Sequence, residues 1–232
     1  MKALVLSSGG VDSTTALGLA VSRYGKENVI ALSISYGQKH DKEIKAAVDV
    51  ARYYGVEQLF LDLTKIFQYS NCSLLQQSTE EIPEESYGEQ IEKTGGEKPV
   101  STYVPFRNGL FLSSAASIAL SKDCQVIFYG AHADDAAGAA YPDCSPVFNQ
   151  AMGEAIWEGS GHQLKIEAPF VNMNKAEIVK TGLELKVPYE LTWSCYEGGE
   201  VPCGRCGTCI DRAKAFAANG VSDPALSKAS AE

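Results

Sequence analysis

Apolar positions change period repeatedly along this chain. Ala3, Leu4, Val5 and Leu6 form a short unbroken apolar run, the pattern of a strand buried in a parallel sheet. After a stretch of serines and glycines, Leu17, Ala20, Val21 and Tyr24 recur at i, i+3, i+4 and i+7, one face of a helix. The alternation then repeats. Residues 29–34 read as a strand, and Ile44, Ala47, Val48 and Ala51 mark one face of a second helix. Residues 58–62 give a third strand. A helix over 108–121 carries Leu112, Ala115, Ala116 and Ala119 on one face. A fourth strand over 125–129, a helix over 145–157 and a short strand over 164–168 follow. Asn174 and Glu177 have the spacing of a capping box at the start of a further helix. Strands alternating with helices predict an α/β fold, a doubly wound, mainly parallel sheet with right-handed crossovers.

Residues 76–99, QQSTEEIPEESYGEQIEKTGGEKP, break this rhythm. They are acidic, polar and poor in core residues, and the expectation is a long mobile loop or a solvated insertion. The chain is therefore read as an α/β domain over 1–185, with 76–99 as its insertion, and a small element over 186–232 packed on it.

Composition narrows the function classes. The 232 residues, 45% hydrophobic, suit one such domain with a full core. A net charge of −9 disfavours broad contact with nucleic acid but leaves room for one local nucleotide site. No run approaches the roughly 18 apolar residues of a membrane span. The first residues read as a strand and not as a signal peptide, so a cytoplasmic protein is expected. Seven cysteines, an odd number without an export signal, argue against a disulfide framework. Four of them, Cys195, Cys203, Cys206 and Cys209, stand as C-x7-C-x2-C-x2-C. Four soft thiolates so close suit tetrahedral zinc. A redox CxxC pair would leave two unused, and an iron–sulfur cluster also takes four. Zinc held by all four keeps no open position, so the metal is expected to be structural.

In open α/β sheets, ligands sit beyond the carboxyl ends of the strands. Three predicted strands run into unusual loops: SSGGVDS at 7–13, SYGQKH at 35–40 and GAHADDAAGAAYPDC at 130–144. The first joins a strand to a helix N-terminus, where free amides and the helix dipole favour a phosphate. Gly9 and Gly10 would let the backbone approach it, Ser8 and Ser13 would add hydroxyls, and Asp12 or Ser13 could cap the helix. Neither the Walker pattern nor GxGxxG stands here. SGGVDS instead resembles the pyrophosphate loop of the N-type ATP pyrophosphatases, which cut ATP between its α- and β-phosphates.

Read in order, SGGVDS, SYGQKH, YVPFRN, YPDC, NKAEIVKTGLEL and LTWSCYEGGEVPCGRCGTC resemble the 7-cyano-7-deazaguanine synthase family. That resemblance implies an ATP-dependent ligase, acting on 7-carboxy-7-deazaguanine and ammonia through adenylated intermediates and an amide. Ser8, Gly9, Gly10, Val11, Asp12, Ser13 and Lys175 would bind ATP, with Ser13, Lys175 and Asp12 serving the chemistry. Asp12 has two readings, a helix cap or a Mg²⁺ ligand, and Asp134 and Asp135 are weaker Mg²⁺ candidates. Tyr36, Gln38, His40, Phe106, Arg107, Asn108, Tyr141, Asp143 and Cys144 would recognise the deazapurine, with Arg107 for its carboxylate and Phe106 as a stacking platform. The four clustered cysteines would be the zinc ligands, the partners small molecules only, and the assembly a homodimer. Two other readings stay open: a related pyrophosphatase acting in tRNA modification, and a nucleotide-sensing zinc-ribbon module that is not an enzyme.

Overall fold

The computed structural model describes residues 1–96 and 98–227. Glu97 and positions 228–232, which fall within the predicted insertion and the C-terminal element, lie outside them. Five parallel strands, β1 (Ala3–Leu6), β2 (Val29–Ser35), β3 (Glu57–Asp62), β4 (Val126–Phe128) and β5 (Lys165–Glu167), make one sheet in the order β3-β2-β1-β4-β5. The central register sets Leu4 beside Ile30 and Ile127. The helices are α1 (Val11–Tyr24), α2 (Lys42–Tyr54), α3 (Thr64–Phe67), α4 (Tyr87–Thr94), α5 (Arg107–Ser121), α6 (Ala133–Ala136), α7 (Pro146–Gly159), α8 (Lys175–Glu184), α9 (Gly207–Ala218) and α10 (Pro224–Ser227).

Alternation along each central strand feeds two apolar layers, because successive side chains point to opposite faces. Leu4, Ile30, Leu32 and Ile127 pack with Leu112, Ala115 and Ala119 of α5 and Ile156 of α7. Ala3, Val5, Val29, Ala31, Val126 and Phe128 pack with Leu17 and Ala20 of α1, Val50 of α2 and Ile178 of α8. The small residues on α5 let that helix lie close to the sheet. The predicted doubly wound α/β architecture is thus found, with β4 and β5 a residue shorter at each end than the sequence suggests.

The stretch predicted as a mobile loop is not loop throughout. It contains α4, which opens on a capping box between Ser86 and Glu89. The Tyr87 amide donates to Asp211 of α9 at 3.3 Å, and the Tyr87 and Tyr196 hydroxyls meet at 2.5 Å. Across the predicted 185/186 division, Val11 and Val179 share one cluster with Val187, Tyr189, Ala215 and Phe216.

Candidate active site

Strand order reverses between β1 and β4, and the crevice at such a switch point is where this fold class binds ligands. The loop after β1 is a compact hydrogen-bonded turn. Ser8 and Ser13 hydroxyls are 3.0 Å apart, the Ser8 amide donates to Ser13 Oγ, and the Gly10 amide donates to Ser8 Oγ. Gly10 is the N-cap of α1, and no side chain caps that end. The first-turn amides therefore face the crevice without a side-chain acceptor, as a phosphate site requires. Neither Asp12 nor Ser13 is the cap that the sequence suggested. Gly9 also has a different task. Its φ is +84°, and a Cβ there would stand 2.5 Å from the Ala47 amide nitrogen and the Glu43 carbonyl. It lets the loop lie on α2, and its carbonyl accepts from the Trp193 amide at 2.9 Å.

Asp12 instead turns to α8. Lys175 Nζ stands 2.5 Å from Asp12 Oδ2 and 3.5 Å from His132 Nε2. Asp135 Oδ2 is 3.3 Å from the same His132 nitrogen. Asp134 plays a different part, accepting from the Lys175 amide at 2.7 Å and so anchoring the start of α8. Burial pushes the Asp12 carboxyl up, but Lys175 and His132 outweigh it and hold it below the ordinary value. Burial likewise opposes the charge on Lys175, and Asp12 and Asp135 overcome that. Asp12 Oδ1 is buried with no hydrogen-bond partner among the described residues.

Of these groups, Asp12, Asp135 and Lys175 line a cavity of about 210 Å³. Tyr36, Phe111, Tyr129, Trp193, Tyr196 and Tyr87 add aromatic walls to the same cavity. Arg107, at the start of α5, projects into it with its guanidinium 5.1 Å from the Tyr36 ring centre and 5.9 Å from that of Phe111. It makes no salt bridge among the described residues. Beyond Trp193, the sulfurs of Cys195, Cys203, Cys206 and Cys209 lie within 4.8 Å of one another. Backbone amides of Cys203 and Cys206 donate to the sulfurs of Cys195 and Cys203, each at 3.3 Å. Such donors stabilise thiolate charge. The cluster therefore offers four ligands to one metal ion.

The family profile described as "Queuosine biosynthesis protein QueC" matches residues 2–220. The chain belongs to the QueC family. Its curated relatives include a 7-cyano-7-deazaguanine synthase of Archaeoglobus fulgidus, 43% identical over 98% of this chain and 90% of that protein. The protein of the same name in Caldicellulosiruptor saccharolyticus is 43% identical over 97% of this chain and 94% of its own. Among solved structures, an NMN synthetase from Francisella tularensis aligns with 97% of this chain and 81% of its own, at 14% identity and a TM-score of 0.48. The family expected from the motifs is thus the family found.

The motifs of this QueC-family chain divide between cavity wall and support. Ser8, Gly10, Val11, Asp12, Ser13 and Lys175 line the cavity, as do Tyr36, Gln38, Arg107, Asn108 and Cys144. Burial pushes the Cys144 thiol well above its usual pKa, and its sulfur accepts from Asn108 Nδ2 at 3.2 Å. Four residues expected at the substrate stand behind that wall. Asp143 accepts from the Asn108 amide at 2.8 Å and fixes the start of α5. Tyr141 is buried, its hydroxyl 2.5 Å from that of Thr102. His40 packs against Gly198 and accepts from the Lys42 amide at 3.3 Å. Phe106 has a positive φ of 54° and is 58% exposed, its ring against Phe148 and away from the cavity. Trp193, Tyr196 and Glu43 line the cavity and went unmarked in the sequence; Trp193 and Tyr196 flank Cys195, the one available signal.

Proposed function

We propose that the protein is an ATP-dependent 7-cyano-7-deazaguanine synthase whose reaction occupies this one cavity. The observation that carries the reading is the pairing of its two ends. One end offers an uncapped helix N-terminus with Lys175. The other offers Arg107, which makes no salt bridge among the described residues, beside aromatic rings. A triphosphate fits the first, and a flat heterocyclic acid fits the second.

A carboxylate resists ammonia until one of its oxygens can leave. Arg107 orients the acid so that an oxygen faces the α-phosphorus. Charge builds on the departing pyrophosphate, where the α1 amides, the Ser8 and Ser13 hydroxyls and Lys175 are placed to meet it. Ammonia then displaces AMP to give the amide, and a second adenylation, on the amide oxygen, allows elimination to the nitrile. Asp12, with its unpartnered Oδ1, and Asp135 are hard oxygen donors that fit the Mg²⁺ carried by ATP, an ion that offsets phosphate charge. The four thiols fit zinc: an ion with Zn–S bonds of ~2.3 Å holds tetrahedral sulfurs about 3.8 Å apart, inside the observed 4.8 Å. With four protein ligands it organises the chain and takes no substrate. Free ammonia as nitrogen donor and a homodimeric assembly complete the reading; ammonium dependence of the rate and light scattering check them.

The test is incubation of the protein with ATP, Mg²⁺, ammonium and 7-carboxy-7-deazaguanine, followed by mass spectrometry. AMP, the amide and the nitrile are expected, whereas ADP with orthophosphate overturns the reading. Ser13→Ala is expected to lower turnover about 100-fold with its metal content unchanged; full activity would remove Ser13 from the site.

A further inference from the structure

Three carboxylates line the cavity: Asp12, Asp135 and Glu43. Two are committed, Asp12 to Lys175 at 2.5 Å and Asp135 to His132 at 3.3 Å. Glu43, in the first turn of α2, forms no salt bridge among the described residues, and it shares the cavity with Arg107. Its backbone is fixed by the Gly9 contact that seats the phosphate loop on α2. Glu43 thus lines the cavity next to the phosphate loop, with its carboxyl in the field of Arg107.

The proposed reaction has a requirement that phosphate ligands do not meet. Ammonia enters with three N–H bonds and the nitrile leaves with none. One proton is lost as ammonia displaces AMP from the acyl adenylate. A second leaves when the O-adenylated amide becomes a neutral imidate. The third leaves as the C–O bond breaks: its electron pair departs with AMP, and the N–H pair becomes the third bond of the C≡N group. Each loss needs a base beside the nitrogen.

Resting on the synthase reading, we propose that Glu43 is the general base that removes these protons, passing each to solvent before accepting the next. Asp12 and Asp135 are poorly suited, Asp12 being paired with Lys175 and Asp135 in contact with His132. Lys175 and Arg107 are charged donors without a lone pair to give. The groups acting on Glu43 from neighbouring elements are Arg107 of α5, Tyr36 beyond β2 and Cys195 of the C-terminal segment. Burial is the leading influence on its carboxyl and raises its pKa to about 7, with Arg107 opposing. A base of that strength takes a proton and releases it near neutrality.

The experiment separates adenylation from proton removal. Glu43→Gln keeps the shape and loses the base. Acid-dependent exchange of labelled pyrophosphate into ATP, which reports the first adenylation alone, is expected to stay within about twofold of the unaltered protein. Conversion of supplied amide and ATP to nitrile is expected to fall at least ~100-fold, the usual contribution of a general base. Glu43→Asp, with a carboxylate set one methylene back, is expected to recover part of that loss. Nitrile formation at the normal rate in Glu43→Gln overturns the proposal. So does an equal loss of exchange and nitrile formation, which would make Glu43 a binding or structural residue. Absence of exchange in the unaltered protein would overturn the synthase reading itself, a distinct result.

Discussion

The central sheet and the segment that follows α8 are held by different means. In the sheet, Leu4, Ile30 and Ile127 are each at most 1% exposed within one of two broad apolar layers, so no single contact is decisive. After the apolar seam at Tyr189 and Phe216, the C-terminal segment depends on a few polar bonds. Arg212 and Asp223, each side chain 5% exposed, pair through two contacts of 2.7 and 2.9 Å. The same guanidinium donates to Thr192 and Ser194 and to the Tyr189 carbonyl. The four thiols close the remainder. Apolar burial adds up over many small terms, whereas a metal or a buried charge fails as a unit when one member goes.

The largest expected effect follows from that contrast. Cys206→Ala removes one of the four thiols proposed to hold zinc, and structural zinc in small domains is worth about 10 kcal/mol or more. Metal is expected to leave and solubility to fall together, with new proteolytic cuts between 192 and 210 and in 80–96. Unchanged metal content by elemental analysis would remove the cluster from this account. Next, Asp223→Ala leaves a buried guanidinium unpaired and is expected to cost about 3–5 kcal/mol in urea titration. Replacing both partners, Arg212→Met with Asp223→Leu, is expected to recover much of that, since the penalty lies in the orphaned charge. Leu4→Ala should cost about 3 kcal/mol through the cavity it leaves. A cost well above that of Asp223→Ala would reverse the comparison. The smallest effect is expected of Arg23→Ala, which breaks the exposed 2.8 Å bridge to Glu167, at under ~1 kcal/mol.

The same division sets how much was legible in the sequence. Strands β1, β2 and β4 announce themselves as short apolar runs because burial on both faces leaves no other composition workable, whereas the edge strands β3 and β5 are only partly buried and mix charged with apolar residues. Helix α4 does not announce itself, because its support is distant: Tyr87 leans on Asp211 and Tyr196, over a hundred residues away. Locally it offers a capping box and little apolar surface. Gly9 was read for its proximity to an anion, but its glycine is required by α2, a neighbour that only folding supplies. Phe106 and Asp143 fall within motifs that do reach the cavity. A motif preserves a neighbourhood, and some of its members face away from the ligand to hold those that touch it. Glu43 was hidden for a different reason. An acidic residue in the first turn of a helix is ordinary, and nothing local distinguishes one turned into an enclosed site.

The bond from the Trp193 amide to the Gly9 carbonyl joins the first loop to a segment made long after it. On a ribosome adding about 5–20 residues each second, that loop waits roughly ten to forty seconds for its brace. The nascent chain can assemble its first strands in that interval, but the loop gains its brace only once Trp193 has been made.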